Sequence, residues 1–386
     1  MNILIIPSFL FTKEEPALGS FVFEQASALQ KAGNRVTILY CDTYSVKEWD
    51  RWRNYREEAC SVKDGVTVIR KKRFCPAKHD SGFKGVKKIF AREIRALYRK
   101  YLSDAQVDVI HAHCCAWAGY AAMELSEETG IPYVITEHSS LYGLSAEKIK
   151  GRDRQDITEA FRNARQVICV SAGLQRDIRP YCEESRILGN VVDCDLFRIC
   201  REQTGETGPV FLTVCSMAHG KRLQVKGIDL LLEAFARVVK ACPEARLRIG
   251  GGGPGQEVLK QWITEKGLSD YVTLLDSLPR EEVAREMNRC HVFVLPSRYE
   301  TFGVVYAEAL ACGIPVIGTA TGGPDAFVNQ HNGILTEVGD VEQLTRAMLH
   351  MAENRRQYPP EALRQAVVDQ FSMEAVARQL MEIYQK

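Results

Sequence analysis

Short apolar runs alternate with longer amphipathic segments along almost the whole chain. Six runs in the first half are predicted to be strands: Ile3–Ile6, Arg35–Tyr40, Val66–Ile69, Val107–Ala112, Tyr133–Thr136 and Gln166–Val170. Six more follow in the second half: Val210–Val214, Arg246–Ile249, Val272–Leu275, His291–Leu295, Pro315–Gly318 and Ile334–Leu335. Continuous apolar character is typical of strands covered on both faces, and intervening helices are typical of parallel βαβ units. The pattern therefore predicts an α/β protein with two doubly wound domains.

A polar stretch at Cys200–Pro209 separates the two halves. It contains two glycines, ends in a proline and is followed at once by a new apolar run, which is typical of a linker. The sequence predicts a first domain over residues 1–200 and a second over residues 209–365. Ligands of open α/β sheets bind beyond the carboxyl ends of the strands. The residues directly after each strand are therefore the candidates for function.

Composition narrows the class of protein without naming a function. The 386 residues are 46% hydrophobic and 26% charged, which is typical of a globular chain and excludes a disordered or collagen-like one. The thirteen cysteines show no repeated Cys-x-x-Cys framework, as expected for reduced core residues of a cytoplasmic protein. Met1–Pro7 lacks the basic residues of a signal peptide, and no apolar stretch approaches the roughly 20 residues of a membrane helix.

The charge balance hides a basic segment. Fifty Lys and Arg against 49 Asp and Glu leave a net charge of +1, which does not indicate a nucleic-acid-binding protein. Arg70–Lys100 nevertheless holds twelve basic and two acidic side chains, and from Val86 onward its apolar residues recur at helical spacing. A basic amphipathic helix suits an anionic membrane surface, with a solvated helix or a nucleic-acid patch as alternatives. The residues expected to face the membrane are Lys84, Lys87, Lys88 and Arg92.

Residues 291–316 contain the densest group of candidate functional side chains. A predicted strand ends at Pro296, a loop carries Glu300, and a predicted helix begins near Thr301–Val304 and ends at Gly313. Backbone N–H groups at such a helix start attract anions. The sequence therefore predicts an anion site at the start of this helix.

Two carboxylates accompany this anion site. Glu308 follows Glu300 by eight residues, and because eight helical steps of ~100° exceed two turns by about 80°, the two side chains are expected on roughly the same side. Backbone amides can bind phosphate, and the carboxylates can accept hydrogen bonds from sugar hydroxyls. A nucleotide sugar carries both kinds of group. The alternative is that Glu300 is a solvated loop residue and Glu308 a helix-surface residue.

These residues resemble the Glu-x7-Glu signature of the retaining group 1 glycosyltransferases, the family 4-like enzymes of the GT-B fold. The similarity continues through Cys312–Ile317 and Thr321–Gly323 and covers most of the chain. Further landmarks occur in the family's order: Gly19–Phe21, His111–His113, Thr136–Ser139, Gly189–Asp193, Lys226–Asp229 and Phe371–Ser372. The resemblance implies two facing Rossmann-like domains, the first binding the acceptor and the second the nucleotide sugar. It also implies that residues 366–386 cross back onto the N-terminal domain as a helix.

The resemblance implies transfer of a sugar from a nucleotide-diphosphate sugar to a hydroxyl of a glycan or lipid-linked acceptor, with retained anomeric configuration. The implied setting is bacterial surface polysaccharide synthesis in the cytoplasm, or at the inner face of the plasma membrane beside a polyprenyl-linked acceptor. Lys226 and His138 are expected at the reaction centre, Glu300 on the donor-sugar hydroxyls and Glu308 on the ribose. The other expected donor-binding residues are Gly19, Arg222, Gly252, Thr301, Phe302 and Gly303. No metal ion or cofactor is implied, because cations and helix-start amides would stabilise the leaving diphosphate.

The sequence departs from the family pattern just before Lys226. Where the family commonly has an arginine shortly after the strand, this chain has Ser216 and then an insertion over residues 218–224. Lys221 or Arg222 is expected to supply the second cation. This departure also leaves open a nucleotide-sugar-binding protein without turnover.

Two motifs favour other chemistries. Gly250–Gly255 satisfies Gly-x-Gly-x-x-Gly, and Asp276 lies 21 residues beyond it. This spacing imitates the dinucleotide fingerprint of an NAD-dependent oxidoreductase, and an epimerase acting on nucleotide sugars is a further alternative. The resemblance instead implies a glycine-rich loop lying against the nucleotide. His111 and His113 stand beside two cysteines, but without a second cluster the sequence predicts strand-end packing and no metal site.

Overall fold

The computed structural model describes residues 1–10, 19–44, 58–75, 85–200, 206–217 and 220–385. The chain forms two compact units. The first unit comprises Met1–Val191 together with Met373–Lys386, and the second comprises Val192–Ser372. Each unit is built around one sheet.

The sheet of the first unit has eight strands in the order β3-β4-β2-β1-β5-β6-β7-β8. Their bounds are β1 Asn2–Pro7, β2 Arg35–Tyr44, β3 Glu58–Lys63, β4 Val66–Phe74, β5 Val109–His113, β6 Tyr133–Glu137, β7 Gln166–Cys169 and β8 Arg186–Ile187. All neighbouring pairs are parallel except β3 and β4, which are antiparallel. The central strand β1 places Ile3 opposite Val36 on one side and Val109 on the other.

The sheet of the second unit has six parallel strands in the order β11-β10-β9-β12-β13-β14. Their bounds are β9 Val210–Val214, β10 Arg246–Gly250, β11 Val272–Leu275, β12 Val292–Val294, β13 Val316–Thr319 and β14 Gly333–Thr336. The two central strands β9 and β12 are almost fully buried. Two-sided burial is what their continuous apolar sequence predicts.

All twelve predicted strands are present, and β3 and β8 are the two that the sequence pattern missed. Both lie at the edges of the first sheet and are largely exposed, so neither needs an apolar run. Asp64 and Gly65 join β3 to β4 with φ angles of 49° and 78°, as in the Asp-Gly turns of tight hairpins.

Fourteen helices flank the sheets within the described residues. Those of the first unit are α1 Ser20–Lys31, α2 Val86–Tyr101, α3 Tyr120–Thr129, α4 Leu141–Leu144, α5 Arg152–Asn163, α6 Ala172–Ile178 and, at the end of the chain, α14 Met373–Tyr384. Those of the second unit are α7 Gly220–Val225, α8 Ile228–Ala241, α9 Gln256–Glu265, α10 Arg280–Asn288, α11 Val304–Ala311, α12 Val341–Asn354 and α13 Pro360–Phe371. Among the described helices, none has both the length and the hydrophobicity needed to span a membrane.

The C-terminal helix α14 belongs to the first unit, so the expected return of the chain to the N-terminal domain is confirmed. It packs beside α1, where Lys31 Nζ lies 3.3 Å from Met373 Sδ. At its end, the Tyr384 hydroxyl lies 2.6 Å from His111 Nδ1 on β5. The tyrosine therefore connects the last helix to the centre of the first sheet.

The unit boundaries differ from the expected residues 200, 209 and 365. The chain passes from the first unit to the second after Val191 and returns to the first unit after Ser372. Residues 192–200 belong to the second unit, because the Arg364 guanidinium on α13 donates to the carbonyls of Cys194 and Phe197 at 2.8 and 2.7 Å. A polar composition indicates a linker but carries no information about these backbone contacts.

The basic helix is present as predicted, but the expected surface position of Lys87 is wrong. Lys87 is 2% exposed, and its Nζ lies 2.6 Å from Asp153 Oδ1 and 2.5 Å from Asp156 Oδ2 on α5. Position 87 lies three residues before the buried Phe90, on the apolar side of the helix. Lys88 and Arg92 are exposed, and Lys84 lies outside the described residues.

Replacing Lys87 with methionine is expected to destabilise the first unit by about 3–5 kcal/mol, because two buried aspartates would lose their shared cation. The matched control is Lys88→Met, whose side chain is exposed and whose effect should stay within about 0.5 kcal/mol. Urea unfolding of the two variants measures the difference. Equal stabilities would contradict the buried position of Lys87.

Candidate functional site

Polar side chains gather at the carboxyl edge of the first sheet. Strands β5 and β6 are parallel neighbours, so the residues that end them, His113 and Glu137, lie at the same edge with His138 directly after. His138 is 8% exposed, and its Nε2 lies 3.0 Å from His113 Nδ1. Its ring also packs against Phe21 of α1, with centroids 4.4 Å apart. The predicted residue His138 is therefore held in a defined position within the first unit.

Three imidazoles stack in a row at this edge. The ring centroids of His111 and His113 are 4.5 Å apart, and those of His113 and His138 are 5.2 Å apart. Besides Tyr384, His111 contacts Thr136, whose Oγ1 lies 2.7 Å from its Nε2. Both nitrogens of His111 are therefore taken by protein partners.

Burial keeps these histidines neutral. Burial lowers the pKa of His111 to about 3. The pKa of His138 is also lowered to about 3, first by burial and then by the repulsion that a protonated His111 would exert. The Asn190 side chain opposes the shift at His138. Burial, followed by the neighbouring histidines, lowers the pKa of His113 well below its usual value. Each imidazole therefore has one donor and one acceptor nitrogen at neutral pH.

Glu137 fixes the loop that carries His138, a role that the sequence did not indicate. Its carboxylate is fully buried and accepts the backbone N–H groups of Cys115, His138 and Ser139 at 2.8, 3.0 and 2.8 Å. Burial raises the pKa of Glu137, and these hydrogen bonds oppose that shift. The predicted motif contains Glu137, but only the fold reveals that its side chain turns back onto its own loop.

In the second unit, the structure brings Lys226 and Glu300 together. Lys226 lies between α7 and α8, and Glu300 lies in the loop after β12. Lys226 Nζ is 2.6 Å from Glu300 Oε2, and the two side chains are only 13% and 12% exposed. Ser297 Oγ donates to the same carboxylate oxygen at 3.3 Å. Because β9 and β12 are adjacent parallel strands, this pair lies at the carboxyl edge of the second sheet.

A glycine lets the two segments meet. Gly227 has φ 68°, and a Cβ at this position would lie 1.8 Å from the Pro296 carbonyl oxygen. A side chain there would push the turn that carries Lys226 away from the loop that carries Glu300. The glycine of the Lys226–Asp229 landmark is therefore explained by close backbone packing.

Helix α11 begins at Val304, and Gly303 caps it with φ 85°. Of the three residues expected to contact the donor here, Thr301 is half-buried and lies in the loop. Phe302 is 1% exposed and packs on Phe327 and Phe371 at 4.9 and 5.3 Å. The Phe302 side chain is therefore a core residue, which leaves only its backbone groups for a ligand.

Glu308 has its own cation and does not share a helix face with Glu300. Glu300 precedes α11 by four residues, so helical spacing does not relate the two carboxylates. Glu308 is 3% exposed, and its Oε1 lies 3.0 Å from Arg280 NH1 at the start of α10. Burial raises the pKa of Glu308, and Arg280 opposes the shift. The sequence gave no indication of Arg280, which lies 28 residues from Glu308.

Arg222 is the better placed of the two candidates for a second cation. It is half-buried on α7, whereas Lys221 is exposed. Burial raises the pKa of Cys215, directly after β9, to about 11, and the charges of both Lys226 and Arg222 lower it. Both cations therefore lie near the carboxyl end of β9.

The glycine-rich loop that contains Gly252 is packed between neighbouring strand ends. Gly251 N–H donates to the Asp276 carbonyl at 2.9 Å, and Met217 N–H donates to the Gly252 carbonyl at 3.2 Å. The Asp276 carboxylate accepts from Gln256 at 3.0 Å. Asp276, the acidic residue of the dinucleotide-like motif, thus already has a hydrogen-bond partner in its own unit.

In the first unit, Gly19 precedes α1 with φ 68°.

Two solved structures resemble the chain as a whole. Sucrose-phosphate synthase from Thermosynechococcus elongatus is 21% identical, with a TM-score of 0.78, and the match covers 100% of this chain and 98% of that one. HepE from Anabaena, in complex with UDP and glucose, is 18% identical with a TM-score of 0.72, covering 99% and 98%. At these identities the two likenesses establish the fold.

Sequence relatives and family models give the family. TuaC from Bacillus subtilis, named as a teichuronic acid biosynthesis glycosyltransferase, is 27% identical over 100% of this chain and 98% of its own length. The chain spans only 66%, 34% and 59% of three other curated relatives. Residues 18–196 match the model of glycosyltransferase family 4, and residues 208–370 match that of glycosyl transferases group 1. Since the two models together match most of the sequence, the chain belongs to the family 4-like group 1 glycosyltransferases of the GT-B fold.

Proposed function

We propose that this protein transfers a sugar from a nucleotide-diphosphate sugar to a hydroxyl of a glycan or lipid-linked acceptor, with retained anomeric configuration. The observation that carries the proposal is the direct contact between Lys226 and Glu300 at 2.6 Å. A cation that suits a diphosphate and a carboxylate that suits sugar hydroxyls therefore lie together at the carboxyl edge of the second sheet. Family membership supports the reaction class, and the UDP and glucose in HepE support the class of donor. TuaC supports a role in surface polysaccharide synthesis.

Both groups of the Lys226–Glu300 pair are proposed to take part in donor binding. The Lys226 ammonium and the Glu300 carboxylate neutralise each other before the donor binds. When the diphosphate arrives, Lys226 turns to the phosphate oxygens, and Glu300 becomes available to sugar hydroxyls. Arg222 adds the second positive charge near β9. The site thus exchanges one internal ion pair for two sets of contacts with the donor.

The proposed reaction is the one that the family resemblance implies. The bond between the anomeric carbon and the β-phosphate oxygen breaks, and the acceptor oxygen bonds to the same face of the sugar. The acceptor proton passes to the leaving phosphate oxygen, so no side-chain base is required. Lys226 and Arg222 stabilise the charge that develops on the diphosphate, in the place of a metal ion.

Other residues are proposed to position the donor. Glu308, held by Arg280, accepts hydrogen bonds from the ribose, and backbone groups of Thr301, Phe302 and Gly303 face the phosphates. Gly252 lies against the nucleotide. In the first unit, His138 contacts the donor sugar, and Gly19 allows close approach of the backbone to the substrate.

A thermal-shift screen with UDP-, GDP-, ADP- and CDP-sugars tests the proposal. One nucleotide class at about 100 times its Kd should stabilise the protein by about 2.7 kcal/mol, which corresponds to several degrees in Tm. NAD(H) should produce no shift. Stabilisation by NAD(H) and by none of the nucleotide sugars would overturn the proposal in favour of an oxidoreductase.

We further propose that the exposed side of α2 contacts an anionic membrane beside a lipid-linked acceptor. With Lys87 buried and Lys84 outside the described residues, Lys88 and Arg92 carry this role. Lys88→Glu combined with Arg92→Glu should lower the affinity for phosphatidylglycerol vesicles, measured by co-sedimentation, by at least about 30-fold, since each basic residue near an anionic surface contributes about 1 kcal/mol and two are lost. The control is Arg237→Glu, exposed on α8. Equal sedimentation of all three proteins would exclude this surface.

A further inference from the structure

We propose that Arg298 and Asp229 form a clamp that positions Lys226 against the donor and keeps Glu300 beside it. This inference rests on the function proposed above. Arg298 and Asp229 act through their neighbours, so they are positioning residues rather than catalytic ones. In this proposal, the clamp holds the turn that carries Lys226 next to the loop that carries Glu300 when the donor separates the two side chains.

The contacts join two segments that are distant in sequence. The Arg298 guanidinium donates to Asp229 through both of its terminal nitrogens, each 2.7 Å from a different carboxylate oxygen. One of these nitrogens also donates to the Gln224 carbonyl. The Arg298 backbone N–H donates to the Val225 carbonyl at 2.8 Å. One arginine thus binds the chain on both sides of Lys226.

The geometry constrains Lys226 from three directions. Gln224 and Val225 precede it, Asp229 follows it by three residues, and Gly227 packs on the Pro296 carbonyl. Glu300 follows Arg298 by two residues in the same loop. The distance from the Lys226 backbone to Glu300 is therefore set by contacts that do not involve the Lys226–Glu300 ion pair itself.

This independence matters during turnover. The Lys226–Glu300 contact is given up when phosphate binds, and without another connection the loop would be free to move away. The Arg298–Asp229 pair involves neither reacting group, so it persists. Because arginine presents a planar fork to several acceptors at once, lysine cannot reproduce these contacts.

The clamp contributes to function more than to folding. The Arg298 and Asp229 side chains are 36% and 31% exposed, and ion pairs with such access to water add little to stability. Small displacements of groups that bind a reacting substrate, by contrast, lower the rate by large factors. Activity and stability should therefore respond differently to substitutions in the clamp.

The test compares Arg298→Ala, Arg298→Lys and the exchange Arg298→Asp with Asp229→Arg. Arg237→Ala is the matched control, because Arg237 makes an exposed ion pair with Glu233 on α8 of the same unit. With the nucleotide sugar that gives the largest thermal shift, Arg298→Ala should lower kcat/KM by about 100-fold, with a loss in kcat as well as a rise in donor KM. Arg298→Lys should lose most of this activity, and the exchange should restore part of it. Tm and acceptor KM should stay near the wild-type values.

Activity within twofold of wild type in Arg298→Ala would overturn the clamp, as would a loss fully explained by unfolding. A second readout does not depend on turnover. The side-chain ammonium of Lys226, observed by ¹H–¹⁵N NMR, should be protected from exchange in wild type and Arg237→Ala but exchange faster in Arg298→Ala, because without the clamp the two segments separate and the Lys226–Glu300 contact opens more often. If wild type turns over no nucleotide sugar, the proposed function fails, and this signal still decides the clamp. Unchanged protection in Arg298→Ala would overturn it.

Discussion

Replacing Lys226 with alanine is expected to lower the affinity for the matching nucleoside diphosphate by about 100-fold, because a charge-assisted hydrogen bond contributes about 1.5–3 kcal/mol. The substitution also leaves the Glu300 carboxylate, which is only 12% exposed, without its cation and facing the phosphates. Loss of attraction and new repulsion act in the same direction. Titration calorimetry with the nucleoside diphosphate measures the effect. The control Lys240→Ala, exposed on helix α8 that follows Lys226, should bind within twofold of wild type.

Glu300→Gln is expected to change the two affinities differently: the protein should keep its affinity for the diphosphate and lose affinity for the complete nucleotide sugar. This variant removes the partner that neutralises Lys226 in the free protein, so diphosphate affinity should be retained or rise. Affinity for the complete nucleotide sugar should fall towards that of the diphosphate alone, because a neutral amide oxygen accepts hydrogen bonds from the sugar hydroxyls more weakly than a carboxylate does. Equal losses of both ligands in the two variants would contradict separate roles for Lys226 and Glu300.

Mild acid is expected to destabilise the first unit strongly, which is the second large effect. His111, His113 and His138 have folded-state pKa values far below 6.5, about 3 for His111 and His138. The unfolded chain therefore binds more protons below pH 6.5, and stability falls as pH falls. Each histidine contributes up to about 1.4 kcal/mol per pH unit, which gives roughly 3 kcal/mol for the three between pH 6.5 and 5.5. Glu137 has a raised pKa and acts in the opposite direction at lower pH.

Urea unfolding at several pH values measures this dependence. His111→Gln should reduce the slope of stability against pH by about one proton, even though its packing defect lowers stability at every pH. His350→Gln is the control, since His350 is exposed on α12, and it should leave the slope of the wild type intact.

In the second unit, burial lowers the pKa of His291 to about 4, so that unit should also lose stability in acid. A wild-type slope near zero between pH 6.5 and 5.5 would exclude the neutral histidine row.

The fold was largely predictable because two-sided burial leaves a direct trace in sequence. Every strand of the second unit carries enough apolar residues to be recognised without its neighbours. The edge strands β3 and β8 lack that trace, since solvent satisfies one side of each. Lys87 shows the complementary failure: its charge indicates a surface, but Asp153 and Asp156 from another helix make burial favourable.

Individual candidate residues could be singled out from the sequence, but the contacts between them could not. Lys226 and Glu300 were identified from their motifs, yet their contact joins residues 74 apart in sequence. Arg280 and Glu137 were missed because their roles come from contacts that form only in the folded chain. Arg298 lies in the same loop as Glu300, but its carboxylate partner Asp229 lies in a different landmark. Sequence motifs indicate candidate site residues, whereas the contacts that position those residues form only in the folded chain.

The most direct test of the central proposal is nucleoside-diphosphate release from the nucleotide sugar that stabilises the protein. The assay is run in EDTA with membrane lipid extract as the source of acceptor and compares wild type with Lys226→Ala. Wild type is expected to release diphosphate and to extend a lipid or glycan by one sugar, while Lys226→Ala should be at least about 100-fold slower. Release at equal rates by both proteins, or no release by wild type with any of the four nucleotide classes, would contradict it.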